Sequence, residues 1–154
     1  YNGLGMNNMV SAILGQPSGT SPEQGYGADM MKLDIGGSIS EGILPRDFRK
    51  YHTFNDHVYS PCRGKVYHIE DGHPNVQVGA QATMLGNYVV LSCFEWYVTL
   101  SNFTPGSFFV QEGDDISLGQ LIGYVGNTGL STVCHLHLEV RHNGDAVDPM
   151  RYIP

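Results

Sequence analysis

A chain of 154 residues has the length of one ordinary domain and is long enough to bury a core. It is 41% hydrophobic and 15% charged, values typical of globular proteins, and 8 Lys and Arg against 15 Asp and Glu give a formal net charge of -7. This balance argues against a surface that binds nucleic acid or anionic lipid, and no apolar run approaches the roughly 20 residues that span a bilayer.

The first third of the chain is weakly patterned. Residues 1–25 are interpreted as an N-terminal extension that packs on or leads into a domain spanning residues 26–154. A strand-like run covers residues 26–35 and ends at two glycines. Residues 38–57 are polar and irregular, which indicates an insertion or a long surface loop.

From residue 58 onward the pattern becomes regular. Strands are predicted by runs rich in β-branched and aromatic residues, which glycine-containing turns separate. A further apolar run at 108–110 is short. The predicted strands are residues 65–69, 87–92, 96–100, 122–125 and 135–141. No sustained helical period is present, so the sequence predicts an all-β sandwich or barrel.

The last predicted strand carries two histidines in the run His135-Leu136-His137. Because side chains alternate across a strand, His135, His137 and Glu139 share one face. Two imidazoles in this arrangement can converge on one metal ion or one reacting group. The alternation alone fits equally well with two exposed histidines on the polar face of an edge strand.

The context of this run resembles a known signature. Residues 126–140 resemble the GxTGxSxxxHLHxE segment of the lysostaphin/LytM-type zinc endopeptidases, and residues 59–66, 86–91 and 113–123 are similar to other elements of that family in the same order. The resemblance implies an all-β, lysostaphin/LytM-like fold. This fold is a barrel-sandwich hybrid-like antiparallel sheet with long loops flanking a groove.

The same resemblance implies a zinc site. In the family, one histidine and one aspartate from an early strand bind zinc together with the second histidine of the HxH run, and water fills the fourth position. Asp29, within residues 24–30, matches the carboxylate ligand, and His137 matches the histidine ligand. His135 matches the catalytic histidine, which stabilises the tetrahedral intermediate.

Two positions depart from the family pattern. No histidine precedes His52, so the early zinc ligand is missing, and Glu23 is a speculative third ligand. Asn102 stands where the family has a second active-site histidine, and asparagine cannot exchange a proton near neutral pH. Three loop histidines are further candidates to fold back over the groove: His52, His57 and His73. The cofactor is therefore zinc if the site is complete and none otherwise.

These departures favour a non-catalytic domain that binds peptidoglycan peptides or a partner protein of the cell envelope and acts as a regulator. The alternative is an active zinc endopeptidase that cleaves peptidoglycan cross-links with an unconventional third ligand. A lipoyl- or biotinyl-like carrier is improbable, because no lysine stands at an exposed hairpin tip. An extracytoplasmic location follows from the resemblance alone.

The three cysteines do not form a metal-binding spacing such as CxxC. Cys62 and Cys93 each stand beside a predicted strand, and their positions fit either a disulfide or two small buried thiols. Cys134 is expected to point away from its neighbour His135, to the opposite face of the strand.

Overall fold

The computed structural model of the chain describes residues 26–151. In this part of the chain it contains nine β-strands and two short 3-10 helices, and no α-helix. The strands are β1 (Gly27–Met30), β2 (His57–Tyr59), β3 (Gly64–Glu70), β4 (Tyr88–Cys93), β5 (Trp96–Ser101), β6 (Asp115–Ile116), β7 (Leu121–Tyr124), β8 (Leu136–His142) and β9 (Asp145–Val147). The 3-10 helices are Phe48–Lys50 and Pro149–Arg151. No helix within residues 26–151 could span a membrane.

Seven of the strands form one antiparallel sheet. Its order is β1-β8-β5-β4-β3-β6, with β9 also paired to β8, while β2 and β7 form a separate two-stranded sheet. Every pairing is antiparallel, so the prediction of an antiparallel all-β fold is confirmed. Strand β8 lies between β1 and β5, which places its side chains at the centre of the site described below.

The core lies against one face of the large sheet. In β8, Leu136 and Leu138 are 1% and 7% exposed, and in the paired strand β5 Val98 and Leu100 are 7% and 2% exposed. Burying each such aliphatic side chain stabilises the fold by about 1.5–3 kcal/mol. The strands therefore alternate as predicted, and their other face is free to carry polar groups.

The segment between β1 and β2 differs from its prediction. The strand expected over residues 26–35 ends at Met30, which pairs with Leu136, the first residue of β8, and a turn follows in which Gly37 N donates to Asp34 O. Residues 38–57 are irregular apart from a short 3-10 helix, as expected, but part of the segment packs into the core. Asp47 caps the first 3-10 helix, and Tyr51, 3% exposed, packs in the core. The segment packs against the core because it contains apolar side chains among its polar residues.

Two further differences concern short elements. Residues 108–110 are not a strand, although Phe109 N donates to Ile122 O and Phe108 packs on Phe103. Strand β9 was not predicted. It follows a two-residue turn in which Asn143 and Gly144 have φ of 51° and 88°, the left-handed pair that favours a tight β-hairpin.

The cysteines take the disulfide arrangement. Cys62 and Cys93 are bonded, joining the turn before β3 to the end of β4 across a sequence separation of 31 residues. Cys134 is a free, fully buried thiol whose Sγ donates to the carbonyl of Gly126 at 3.3 Å, away from the groove as expected. Burial raises the pKa of the Cys134 thiol to about 12.

Candidate functional site

The register between β1 and β8 brings together side chains that are more than one hundred residues apart. Asp29 in β1 lies directly opposite His137 in β8. His135 precedes His137 by two positions and therefore faces the same side of the sheet. Ligand atoms of these three residues all lie within 4.8 Å of one another, and theirs is the one such group that could hold a metal ion among the described residues.

Hydrogen bonds link Asp29, His137 and Glu139, and His135 lies within ion-pair distance of Asp29. Asp29 Oδ1 lies 2.7 Å from His137 Nδ1 and 3.3 Å from His135 Nε2. The other ring nitrogen of His137, Nε2, lies 3.0 Å from Glu139 Oε1. Two carboxylates thus contact one imidazole, an arrangement that favours the charged form of each partner.

The ionisation of the cluster follows from these contacts. Burial of the His137 ring lowers its pKa, but the hydrogen bonds to Asp29 and Glu139 outweigh burial and raise the pKa to about 9. Burial raises the pKa of Asp29. The hydrogen bond from His137 and the charges of the two nearby imidazoles together outweigh burial, so the net pKa lies below the usual value of an aspartate. The Asp29–His137 pair is therefore ionised near neutral pH when no other cation is bound.

A groove of about 480 Å³ opens over this cluster. Its floor is formed by the β-sheet side chains, and its rim is apolar, with Met84 57% and Leu130 55% exposed. The lining residues supplied by loops include Gly79, Leu85, Gly129, Ser131 and Thr132. An open groove with a polar floor and apolar rim is suited to an extended peptide. The loop residues on the rim could not be recognised from periodicity, because they lie outside the strands.

The donor set is compatible with zinc. Two imidazoles and one carboxylate are ligands that zinc accepts, and three protein ligands with one open position is the usual number in a catalytic or ligand-binding site. Asp29 and His137 come from adjacent strands of one sheet, and His135 is the residue directly before β8.

Asn102 directly follows β5 and lines the groove, but its side-chain amide is hydrogen-bonded to backbone groups. It is 2% exposed and its φ is 81°. The amide nitrogen donates to the carbonyl of His135 at 2.7 Å, and Oδ1 accepts from the backbone N–H groups of Thr128 and Gly129 at 2.7 and 2.9 Å. Asn102 thus ties the start of β8 and the glycine-containing loop before it to β5.

The remaining predicted site residues lie elsewhere. Glu23 is outside the described residues. His52 Nε2 lies 3.7 Å from Asp34 Oδ2, His57 packs against Tyr124, and His73 Nε2 lies 2.9 Å from Glu70 Oε1. None of these three histidines lines the groove. The described residues therefore bring together Asp29, His135 and His137, and none of the loop histidines joins them.

Gly27 makes room for the His137 ring. A Cβ atom at this position would overlap the ring, whereas a Cβ at Gly36 would meet only the side chain of Asp34. We expect Gly27→Ala to displace His137 and lower the free energy of unfolding by about 1–3 kcal/mol. Urea denaturation and the ¹H–¹⁵N spectrum of the histidine rings measure both effects. Gly36→Ala is the control, and an unshifted His137 ring in Gly27→Ala would contradict the packing described here.

Comparison with known proteins places this geometry in a family. The model of Peptidase family M23 matches residues 48–149, more than half of the chain, and the match begins after Asp29. Lysostaphin of Staphylococcus staphylolyticus is 33% identical over 135 residues, which cover 85% of this chain and 25% of that protein. The murein hydrolase activator NlpD of Salmonella dublin is 32% identical over 69 residues, covering 45% of this chain and 18% of that protein.

A solved structure of an M23 protein has a similar fold. The catalytic domain of the prophage-encoded M23 protein EnpA from Enterococcus faecalis superposes with a TM-score of 0.61 at 18% identity, covering 97% of this chain and 95% of that one. The chain spans only about a quarter of lysostaphin, so that similarity concerns one domain. The strand order, the Asp29–His135–His137 cluster and the match over residues 48–149 lead to one conclusion: the chain belongs to Peptidase family M23.

Proposed function

We propose that this M23-fold domain is non-catalytic and acts by binding peptide in the groove. The expected ligand is a peptidoglycan peptide, and a peptide segment of a cell-envelope protein is the second candidate. The observation that carries the proposal is the state of Asn102. Its amide oxygen and one amide N–H are held by three backbone groups, and asparagine cannot exchange a proton where the family has an imidazole.

The ligand set supports the same proposal. The chain has no histidine before His52, and Asp29 has only the two histidines of one strand as metal-ligating neighbours among the described residues. Sites that hydrolyse peptides need three ligands and, beyond them, groups that stabilise the oxyanion and move a proton. Here His135 would have to serve either as a ligand or as the proton-transfer group. Loss of one such group from a pre-organised site lowers kcat by roughly 100- to 1000-fold.

The alternative is an active zinc endopeptidase with an unconventional third ligand, in which Asp29 and His137 hold the metal and His135 acts in catalysis. The observation in its favour is the convergence of these three side chains. Zinc would supply an activated water, and Glu23 is the speculative third ligand. The names of the glycyl-glycine endopeptidase ALE-1 of Staphylococcus capitis and of the murein hydrolase activator NlpD illustrate that both functions are represented among similar proteins.

An extracytoplasmic location is part of the proposal. The Cys62–Cys93 disulfide supports it, because disulfides persist in oxidising compartments such as the periplasm and the cell surface. Names of similar proteins, including the lipoprotein NlpD of Yersinia enterocolitica, agree with an envelope setting.

The test combines cleavage and binding. The purified 154-residue chain, supplied with zinc, is incubated with cross-linked peptidoglycan beside an active M23 enzyme, and released peptides are analysed by mass spectrometry. We expect no release, together with sedimentation of the chain with insoluble peptidoglycan. Chelator-sensitive release would overturn the proposal in favour of the endopeptidase.

Matched variants locate the binding surface. Leu130 on the groove rim is 55% exposed, and Leu118 in the turn between β6 and β7 is 67% exposed and does not line the groove. We expect Leu130→Glu to weaken peptidoglycan binding at least tenfold and Leu118→Glu to leave it unchanged. Equal effects of the two variants would contradict binding in the groove.

A further inference from the structure

The two imidazoles of the cluster are held by partners that lie outside it. His135 Nδ1 lies 2.7 Å from the carbonyl oxygen of Val133. Because a carbonyl oxygen can only accept, Nδ1 carries a proton, and it is Nε2 that faces Asp29 at 3.3 Å. His137 has the opposite orientation, with Nε2 toward Glu139 and Nδ1 toward Asp29. The rings thus present different nitrogens to the same carboxylate oxygen.

This pattern is the one that metal-binding histidines show. A ligating imidazole usually donates its other N–H to a carboxylate or a backbone carbonyl, which selects the tautomer and holds the ring. Here Val133 provides the carbonyl for His135, and Glu139 provides the carboxylate for His137. The Glu139 contact comes from β8 itself, and the Val133 contact comes from the loop residue two positions before His135.

The ligand atoms of the three residues lie within 4.8 Å of one another, and one of the three separations already matches a tetrahedral zinc site. Ligand atoms about 2.0–2.1 Å from a tetrahedral zinc ion lie about 3.3 Å apart. His135 Nε2 and Asp29 Oδ1 already have this separation, at 3.3 Å. His137 Nδ1 and Asp29 Oδ1 are hydrogen-bonded at 2.7 Å, so this pair must open by about half an ångström. Asp29, whose side chain is 37% exposed against 15% for His137, is the partner less restrained by packing.

We propose that Asp29, His135 and His137 bind one divalent transition metal ion, with His135 Nε2 as the third protein ligand in place of the early histidine that the chain lacks. Glu139 is the positioning residue for His137. This inference deepens the proposed function and rests on it, because a ligating His135 has no nitrogen left for moving a proton. The domain therefore holds a metal ion, but no further described residue of the groove supplies the imidazole that peptide hydrolysis needs.

Metal titration of the full chain tests His135 as a ligand. The chain is stripped with chelator and dialysed, and Zn²⁺ affinity is measured by calorimetry, with Co²⁺ visible absorption reporting the coordination number. We expect one ion per chain and a loss of at least 100-fold in affinity for His135→Ala. His73→Ala is the control, because His73 also pairs with a glutamate but lies outside the groove. Its affinity should equal that of the unmodified chain.

Two variants test Glu139 as a positioning residue. Glu139→Ala removes the acceptor for His137 Nε2, and we expect a 10- to 100-fold loss of Zn²⁺ affinity. Glu139→Gln keeps a carbonyl oxygen at that place and should recover most of the affinity. Ring ¹⁵N shifts of zinc-loaded chain should identify His135 Nε2 and His137 Nδ1 as the metal-bound nitrogens. Thermal unfolding of each variant separates loss of the site from loss of the fold.

The outcomes distinguish this inference from the proposed function. Absence of Zn²⁺ binding overturns the inference and leaves the non-catalytic proposal standing. Binding that requires Asp29 and His137 but is unchanged in His135→Ala also overturns it, because the third ligand would then be another residue. Peptidoglycan cleavage by a chain whose Zn²⁺ affinity depends on His135 overturns the proposed function and leaves the metal site as inferred.

Discussion

Replacing Asn102 by alanine is expected to lower the free energy of unfolding by about 3–5 kcal/mol. The substitution leaves three buried backbone groups without partners, namely the carbonyl of His135 and the N–H groups of Thr128 and Gly129. Each buried polar group that loses its partner costs about 1–3 kcal/mol. The left-handed backbone at Asn102, with φ of 81°, adds a further penalty because alanine tolerates it less well than asparagine.

Chemical denaturation measures this effect, and the chain contains a matched control. Asn143 also has positive φ, at 51°, but is exposed in the β8–β9 turn. Asn143→Ala should cost at most about 1 kcal/mol, the backbone penalty alone. Equal costs at the two positions would refute the bracing role of Asn102. For the same reason Asn102→His is expected to destabilise the chain and to restore no peptidase activity.

Removing the Cys62–Cys93 disulfide is expected to cost about 3–4 kcal/mol. The bond closes a loop of 31 residues, and the chain-entropy relation predicts this magnitude for a loop of that length. The bond joins the turn before β3 to the end of β4, so its loss frees two neighbouring strands of the large sheet. The double variant Cys62→Ser, Cys93→Ser should therefore show a clearly lower midpoint of urea denaturation.

Thiol counting checks the covalent arrangement independently. The chain has three cysteines, and Cys134 is buried with its pKa raised to about 12 by burial. We expect no rapidly reacting thiol in the folded chain, one after denaturation, and three after denaturation with reductant. Two reactive thiols in the folded chain would exclude the disulfide. Cys134→Ala serves as the stability control because it leaves that bond intact.

The fold was largely predictable because it depends on local alternation. In β8, alternation places Leu136 and Leu138 on the face opposite the histidines, and both leucine side chains are buried. The shared face of His135 and His137 followed from the same period. In contrast, the packing of Tyr51 within a polar segment left no periodic signal, and the strand over residues 26–35 was predicted too long because its apolar residues continue past the turn at Asp34.

The candidate site was predictable only in part. Asp29 could be placed near His137 by family resemblance alone, since its pairing with β8 spans more than one hundred residues. The hydrogen bonds of Asn102 reach residues 26 to 33 positions away, and a sequence does not reveal which backbone groups a side chain will meet. The role of Glu139 toward His137 was likewise visible only in the structure. The assignment of ligand and catalytic roles within the site stays a prediction.

The side chains on the two faces of β8 and of the residue before it have different roles. Leu136 and Leu138 hold the sheet to the core, while His135, His137 and Glu139 face the groove, and the bond from Asn102 reaches only the backbone of His135. The groove-facing and core-facing positions can therefore be changed independently, provided that the carboxylates of Asp29 and Glu139, which pair with His137, are changed together with it. The same independence makes these positions suitable for a randomised library, in which the two leucines are kept constant and new ligand sets are selected on an unchanged scaffold.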